Sequence, residues 1–276
     1  MKPLILIDTS YTLFYRFFAT IRWYTLAFSD EFKIYNDPKY DWAINNTFME
    51  KYKKMYLQSI INLISKDIFF NSNLIFCMDT PLENLWKTEL YCNYKITRKA
   101  LIKKYNYGNV FKYTYDNLIP QIIQNYHNIK YLQINKIEAD DIIGSICLYL
   151  KSVDSQQIIY ILSGDQDFLQ LGRKNIIFIN YKTKKNLSLT EDEACENLKK
   201  KIIFGDKYDC IEGIFQTGYK IKKKDLLDDE ILNNYLNNNL KAKQKYELNK
   251  KIIDFNYIPK NLYNKIIKKY LDIFKT

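Results

Sequence analysis

The chain has 276 residues, of which 47% are hydrophobic and 26% are charged. This length suits one large α/β domain, or a main domain with a small appendage, and the composition excludes disordered and fibrous proteins. No apolar run reaches the ~18 residues of a membrane span, and the start of the chain does not resemble a signal peptide.

The five cysteines and the single histidine exclude several kinds of site. The cysteines are odd in number and widely spaced, which fits neither a disulfide framework nor a zinc motif. We therefore expect reduced thiols in a soluble intracellular protein. One imidazole, that of His127, cannot form a histidine-rich metal site or a conventional triad alone, and a position at a helix end is the simpler interpretation.

The chain carries a net charge of +11, from 42 Lys and Arg against 31 Asp and Glu. A basic protein suits a polyanionic partner such as nucleic acid. An A+T-biased coding sequence would also enrich Lys, Asn, Ile and Tyr, so charge alone does not decide between these two interpretations.

Apolar runs of strand length alternate with helical periodicity along the chain, which predicts an α/β fold. We expect an open, mostly parallel twisted sheet flanked by helices, and irregular surface structure at residues 24–48. The predicted strands are residues 4–7, 73–78, 129–134, 157–162 and 175–181. The predicted helices include residues 47–70, 117–125 and 190–204, the last of which starts with a capping box of Thr190 and Glu193.

Acidic residues stand where these elements end or begin. Asp8, Asp79 and Asp165 each follow a predicted strand, and the carboxyl ends of parallel strands meet at one edge of a sheet. A single Asp there can be a helix cap, and acids in a first helical turn are favoured by ~0.3–1 kcal/mol each. Three acids within residues 138–141 repel one another and exceed what capping requires. The whole set predicts one acidic crevice: Asp8, Asp79, Glu138, Asp140, Asp141, Asp165, Asp167, Asp206 and Asp209.

Carboxylates without imidazole or thiolate partners select hard cations, Mg²⁺ or Mn²⁺. Two such ions about 4 Å apart activate water and stabilise the leaving oxygen in phosphodiester hydrolysis. If the nine acids share one crevice, the rest of the chain holds 42 basic against 22 acidic side chains, a net +20. Dinucleotide, Walker-type nucleotide and serine-hydrolase sites lack their motifs in this chain. The pattern therefore indicates a protein that brings nucleic acid to a metal centre.

A basic and aromatic segment, residues 83–115, lies between two of the acidic positions. On a helix, Lys95, Arg98, Lys99 and Lys103 would share one face and present cations to phosphates. The interleaved tyrosines could stack on unpaired bases. The alternative is a solvated amphipathic helix whose aromatic residues belong to the core, and composition does not exclude it.

Six short motifs occur in order: Leu6-Ile7-Asp8, Cys77-Met78-Asp79, Tyr94-Lys95 with Arg98, Glu138-Ala139-Asp140-Asp141, Ser163-Gly164-Asp165-Gln166-Asp167, and Gly205-Asp206 with Asp209. In this order they resemble the 5′ nucleases, also called flap endonucleases, of the PIN-like superfamily. The resemblance covers most of the chain, and it implies two bound Mg²⁺ ions, with Mn²⁺ as a substitute. It assigns Asp8, Asp79, Glu138 and Asp140 to the first metal and Asp165, Asp167 and Asp209 to the second, with Asp141 and Asp206 acting directly or through water.

The resemblance also implies how substrate is held. Lys95 and Arg98 would be catalytic and would contact the scissile phosphate from an arch over the site, at about residues 83–115. The implied substrate-binding residues are Tyr94, beside the terminal base, and Arg16, Lys99 and Lys220.

The family's fold and activity give further expectations. Residues 1–190 would form the PIN-like catalytic domain, and residues 191–276 a C-terminal helical DNA-binding region with a degenerate helix-hairpin-helix. The implied activity is Mg²⁺-dependent 5′→3′ exonuclease and flap endonuclease cleavage with RNase H activity, which removes RNA primers in DNA replication. The implied partners are DNA and RNA–DNA hybrids with 5′ ends or flaps, and single-stranded DNA-binding protein or other replication proteins. We expect a monomer.

The chain departs from the family at the hairpin. The family pattern is Gly-Val-x-Gly-Ile-Gly followed by Lys, whereas this chain has Gly213-Ile214-Phe215-Gln216-Thr217-Gly218 and then Lys220. Glycines let a hairpin backbone approach phosphate closely. The departure therefore predicts altered geometry of duplex binding.

Two alternatives stay open at this point. A PIN-type endoribonuclease would cut single-stranded RNA and would need neither the basic arch nor residues 205–224. A non-catalytic, structure-specific DNA-binding factor would be free to lose acids, whereas all nine are present.

Overall fold

The structure is a computed structural model that describes residues 2–31, 37–81, 84–97, 106–215 and 222–273. A six-stranded sheet has the order β3-β2-β1-β4-β5-β6, in which the first five strands are parallel and β6 is antiparallel to β5. The strands are β1 (Leu4–Asp8), β2 (Asn73–Met78), β3 (Ile129–Gln133), β4 (Ile159–Leu162), β5 (Ile176–Ile179) and β6 (Asn186–Leu187). The predicted fold class and strands are confirmed.

Helices cover both faces of the sheet. They are α1 (Thr9–Ala27), α2 (Asn46–Ile64), α3 (Lys66–Asn71), α4 (Trp86–Leu90), α5 (Gly108–Tyr113), α6 (Ile119–Asn125), α7 (Ala139–Val153), α8 (Glu191–Phe204), α9 (Asp229–Asn237), α10 (Leu240–Ile253) and α11 (Lys260–Asp272). A π-helical turn, Thr114–Leu118, joins α5 to α6. A short hairpin of β7 (Gly205–Asp206) and β8 (Ile211–Glu212) follows α8.

The central strand β1 is apolar from Leu4 to Ile7, where both of its faces are buried, and it ends in Asp8. Its alternate side chains enter two different cores. Leu4 and Leu6 pack with α7 and α11, whereas Ile5 and Ile7 pack with α1, α2 and the α5–α6 helix. This position places the carboxyl end of β1 between the ends of β2 and β4, where the sequence predicts acidic residues.

Two predicted elements differ from the structure. The single helix predicted for residues 47–70 is divided at Ser65, which has a φ of 74° and whose side chain accepts a hydrogen bond from the backbone of Ile68 at 3.4 Å. Residues 24–48 are not confined to the surface, since Tyr24 and Trp42 are each only 3% exposed and their rings meet edge-on at 5.4 Å. The predicted capping box of α8 is confirmed.

The end of the chain returns to the main core. Ile266, Ile267 and Tyr270 of α11, with Phe255 before it, belong to the same buried cluster as α7. A separate small core is formed by described residues between Ile203 and Ala242, among them Ile214, Leu232 and Tyr235. The domain boundary at residue 190 stays a prediction. Among the described residues, the helices are too short or too polar to cross a membrane.

Gly144 of α7 provides a test of the packing at the end of the chain. A Cβ added at Gly144 would lie 2.5–2.9 Å from ring atoms of Phe255, so Gly144→Ala is expected to destabilise the protein by about 1–3 kcal/mol. Differential scanning calorimetry would record this as a fall in Tm of roughly 5 °C. Gly108→Ala is the control, because nothing lies within 4 Å of its added Cβ. Equal melting temperatures for the two variants would contradict this packing.

Candidate metal centre

The ends of β1 and β2 carry two carboxylates that tie neighbouring elements together. Asp8 caps α1 by accepting a hydrogen bond from the Tyr11 backbone at 3.1 Å, and its other oxygen accepts one from Ser163 Oγ at 2.8 Å. Asp79 accepts a hydrogen bond from the backbone of Ala139 at 2.7 Å, which joins the end of β2 to the start of α7. Burial, and then the charge of Asp79, raise the pKa of Asp8 from 3.8 to about 7.

Three carboxylates at the start of α7 form the first carboxylate cluster: Glu138, Asp140 and Asp141. One oxygen from each lies within 4.8 Å of the others. Glu138 and Asp141 also form a capping box, which explains part of this acidic run without chemistry. The Lys87 Nζ atom lies 3.0–3.1 Å from one oxygen of each member. Trp86 donates its indole hydrogen to Asp141 Oδ2 at 2.7 Å.

The second carboxylate cluster consists of Asp167, Asp206 and Asp209, with one oxygen of each again within 4.8 Å of the others. Asp167 follows β4, and the other two members belong to the β7–β8 hairpin and its turn. Gly205 opens this hairpin with a φ of 73°, where a Cβ would collide with the backbone of Ile211.

Tyr94 and Lys95 connect the two clusters. The Tyr94 hydroxyl donates to Glu138 Oε2 at 2.8 Å and lies 3.3 Å from Asp209 Oδ2. Lys95 Nζ lies 2.5 Å from Glu138 Oε1 and 3.7 Å from Asp209 Oδ2. The backbone N–H of Lys95 donates to the Asp209 carbonyl at 3.0 Å. The φ angle of Lys95 is 54°, a value that residues other than glycine rarely adopt. This segment is therefore held tightly against both clusters.

The ionisation of the first cluster depends on nearby positive charge. Although burial raises it, Lys95 and Lys87 hold the pKa of Glu138 well below its ordinary value. Burial raises the pKa of Asp140 and of Asp141, and Lys87 opposes this rise only in part. Oxygen ligands so closely spaced, in a site whose burial raises the pKa of two of them, fit a divalent cation of the Mg²⁺ or Mn²⁺ type.

The structure brings the predicted acids to one edge of the sheet. Asp141 and Asp206 are full members of the clusters, whereas Asp8 and Asp79 lie at the strand ends beside them. Asp165 is exposed and accepts a hydrogen bond from the backbone of Asp167 at 2.9 Å. The assignment of individual ligands to a first and a second metal stays a prediction.

The predicted substrate-binding residues are described only in part. Arg98, Lys99 and Lys220 lie outside the described residues, as do Gln216, Thr217 and Gly218 of the hairpin motif. Arg16 is only 9% exposed, and its guanidinium lies 6.0 Å from the ring centre of Tyr15, so in this structure it does not present an open cation. Tyr94 and Lys95 are also buried, against acids rather than open to solvent.

Sequence reasoning missed three residues that shape this site. Lys87 enters the first cluster, Lys201 pairs with Asp167 and Asp206 of the second, and Ser163 hydrogen-bonds Asp8. Ser163 opens one of the six motifs, but that motif does not predict its bond to Asp8. No local pattern marks the two lysines, since Lys87 and Asp140 are 53 residues apart.

Known proteins resemble this chain. Residues 3–199 match the family model described as "5'-3' exonuclease, N-terminal resolvase-like domain". A 5′-3′ exonuclease of Buchnera aphidicola is 30% identical over 172 residues, which cover 59% of this chain and 55% of that protein. This chain thus spans a little over half the length of that relative.

Two bacteriophage proteins are also similar. The ribonuclease H of phage T4 is 23% identical over 242 residues, 79% of each chain. Trp86, eight residues before Tyr94, and residues 253–259 also resemble the RNase H of T-even phages, and this similarity confirms the resemblance. The flap endonuclease of phage T5, solved as a pseudo-enzyme–product complex with DNA and metal ions, has a TM-score of 0.61 with 14% identity, and the match covers 100% of both chains. The chain belongs to the 5′-3′ exonuclease family with the N-terminal resolvase-like domain.

Proposed function

We propose that the chain is a Mg²⁺-dependent 5′→3′ exonuclease and flap endonuclease with RNase H activity. The observation that carries this proposal is the pair of carboxylate clusters, joined by Tyr94 and Lys95, at the edge of the sheet where parallel strands end. Family membership supports it, because the family model covers both the strand ends and α7.

The acidic residues would hold two Mg²⁺ ions, or Mn²⁺ as a substitute. The proposed ligands are Asp8, Asp79, Glu138 and Asp140 for the first ion and Asp165, Asp167 and Asp209 for the second, with Asp141 and Asp206 acting directly or through water. When bound, the ions supply an activated water and neutralise charge at the leaving oxygen of a phosphodiester. Glu138 and Asp209 orient Tyr94 and Lys95 at the point where the two clusters meet. We expect Lys95 to exchange its carboxylate partner for the scissile phosphate, since both are anions that an ammonium can pair with.

Tyr94 would remain neutral while it donates its hydrogen bond to Glu138. Burial, and then Glu138 and Asp209, raise the pKa of Tyr94 well above its usual value. Its hydroxyl therefore keeps the hydrogen that it donates. Because the ring is buried here, contact with a terminal base would follow a movement of the segment that carries Tyr94. Arg98, Lys99 and Lys220 complete the proposed substrate contacts, with Arg16 acting from α1.

The proposed substrates are DNA and RNA–DNA hybrids with 5′ ends or flaps, and the proposed role is the removal of RNA primers in DNA replication. The net charge of +11 supports a polyanionic substrate. Similarity to a T5 flap endonuclease solved with DNA and to a T4 ribonuclease H supports the two nucleic-acid classes. Single-stranded DNA-binding protein and other replication proteins are the proposed partners of a monomeric enzyme.

A panel of labelled substrates tests this function. Purified protein with Mg²⁺ is expected to release short products from a 5′-labelled flap, a nicked duplex and an RNA–DNA hybrid, and to release nothing in EDTA, because cleavage requires the ions. A covalently closed duplex circle, which has no 5′ end, is the matched control and should stay intact. Gel electrophoresis of the products makes the measurement.

The other outcomes are informative. Cleavage confined to single-stranded RNA would favour a PIN-type endoribonuclease. Tight binding to the flap with no product in Mg²⁺ or Mn²⁺ would favour a non-catalytic DNA-binding factor. Either result would overturn the proposed function.

A further inference from the structure

Lys87 is a buried cation in the middle of the first carboxylate cluster. Its side chain is 3% exposed, and its Nζ atom lies 3.1 Å from Glu138 Oε2, 3.1 Å from Asp140 Oδ2 and 3.0 Å from Asp141 Oδ1. An ammonium has three N–H donors, so one is available for each of the three carboxylates. The lysine thus offsets the negative charge of the three carboxylates much as a bound metal cation would.

The segment that carries Lys87 is anchored on both sides. Its neighbour Trp86 donates to Asp141 through its indole and to the Lys136 carbonyl through its backbone at 3.1 Å. The Lys87 carbonyl in turn accepts a hydrogen bond from the backbone of Tyr91 at 3.0 Å. These hydrogen bonds fix the backbone of α4 at Lys87. The ammonium therefore extends from a fixed, buried position and not from a mobile surface side chain.

The Lys87 ammonium occupies the point between the three carboxylates, within 3.0–3.1 Å of one oxygen of each. A divalent ion bound to the same three oxygens would lie within a few ångströms of this ammonium if Lys87 stayed in place. Like charges within a few ångströms in a buried site repel strongly.

We propose that Lys87 is an internal counter-cation that competes with a divalent ion for the first carboxylate cluster. This inference rests on the proposed metal-dependent function. Without metal, the ammonium stabilises three adjacent carboxylates that would otherwise repel one another. Metal binding displaces Lys87 from between Glu138, Asp140 and Asp141, so the affinity of this cluster is lower than its ligands alone would provide.

The second cluster has a weaker competitor. Lys201 is 17% exposed and pairs with two acids, Asp167 and Asp206, rather than three. It can leave toward solvent at lower cost than Lys87, which is enclosed. A divalent ion is therefore expected to fill the second cluster first, and binding at the first cluster follows with displacement of Lys87 and movement of α4. Since Lys95 lies eight residues beyond Lys87, this movement would reach the segment that faces the substrate.

Isothermal titration with Mn²⁺ tests the proposal on Lys87→Met, which keeps most of the apolar length of the side chain and removes the charged end. We expect two binding steps in the unmodified protein and at least about tenfold tighter binding of the weaker step in the variant. In EDTA the variant should melt at lower temperature than the unmodified protein, and saturating Mn²⁺ should restore most of the loss. Lys136→Met is the control, because Lys136 forms a surface pair with Glu89 and both side chains are at least half exposed.

Unchanged or weaker Mn²⁺ binding by Lys87→Met would overturn the inference and leave Lys87 as a structural ion pair. If Lys87→Met does not fold in EDTA, Lys87→Arg replaces it. That variant keeps the charge, so it should bind Mn²⁺ no more tightly than the unmodified protein, and tighter binding would contradict the competition. Absence of any Mn²⁺ binding to the unmodified protein would instead overturn the proposed function.

Discussion

Replacing Glu138 by glutamine is expected to lower cleavage of a 5′ flap by about 10³-fold or more, the scale on which loss of one essential charge-stabilising group acts. Glu138 belongs to the first cluster and also contacts Tyr94 and Lys95, which link it to Asp209. The substitution removes one negative charge where the two clusters meet. It therefore weakens cation binding and releases Lys95 from its partner at the same time.

The Glu138→Gln substitution should lower the rate of cleavage more than it lowers the affinity for DNA. Glutamine has the same shape and can still accept the hydrogen bond from Tyr94, so the fold should persist, and circular dichroism would verify this. Single-turnover cleavage and flap affinity, measured separately, distinguish the two effects. Glu89→Gln is the matched control, since Glu89 is 62% exposed and pairs only at the surface with Lys136. Cleavage by Glu138→Gln within tenfold of the unmodified protein would remove Glu138 from the site.

The metal-free protein is expected to lose stability as the pH rises from about 4 to about 7. Burial and Asp79 raise the pKa of Asp8 to about 7, so over this range the folded chain keeps a proton that the unfolded chain has released. The penalty is absent below the ordinary carboxyl pKa and complete above the folded pKa. Its size for Asp8 is on the order of 2–4 kcal/mol. The raised pKa of Asp140 acts in the same direction.

The lowered pKa of Glu138 acts in a different range. Its stabilisation is present above about pH 4.5 and is lost as the pH falls further, so it does not mask the effect of Asp8. Urea unfolding in EDTA at about pH 5 and about pH 7.5 measures the difference, and Asp8→Asn should remove much of it. Saturating Mg²⁺ should also reduce it, because metal binding favours ionised carboxylates. Equal pH dependence for Asp8→Asn and the unmodified protein would contradict the shift.

The sheet and the position of the acids follow from the sequence for a simple reason. Parallel strands buried on both faces give uninterrupted apolar runs, and their carboxyl ends must lie at one edge. The predicted placement of Asp8, Asp79 and Asp165 therefore depended only on local patterns and on one topological rule. The acidic run at residues 138–141 has two roles, and the sequence indicated both. It caps α7, and it also forms a carboxylate cluster.

Features that arise from contacts distant in the chain could not be predicted in the same way. Lys87 and Lys201 meet their carboxylates only after the sheet, α7 and the β7–β8 hairpin have come together. The burial of Trp42 depends on edge-on contacts with Tyr24 and Tyr40 that have no fixed spacing. The break at Ser65 requires a positive φ, which hydrophobic periodicity does not detect.

Binding of divalent cations by the two carboxylate clusters can be observed by anomalous scattering from crystals soaked in saturating Mn²⁺. We predict one peak among Glu138, Asp140 and Asp141, with Lys87 moved away, and a second among Asp167, Asp206 and Asp209. Saturated crystals with no peak in either cluster would show that these carboxylates do not hold metal.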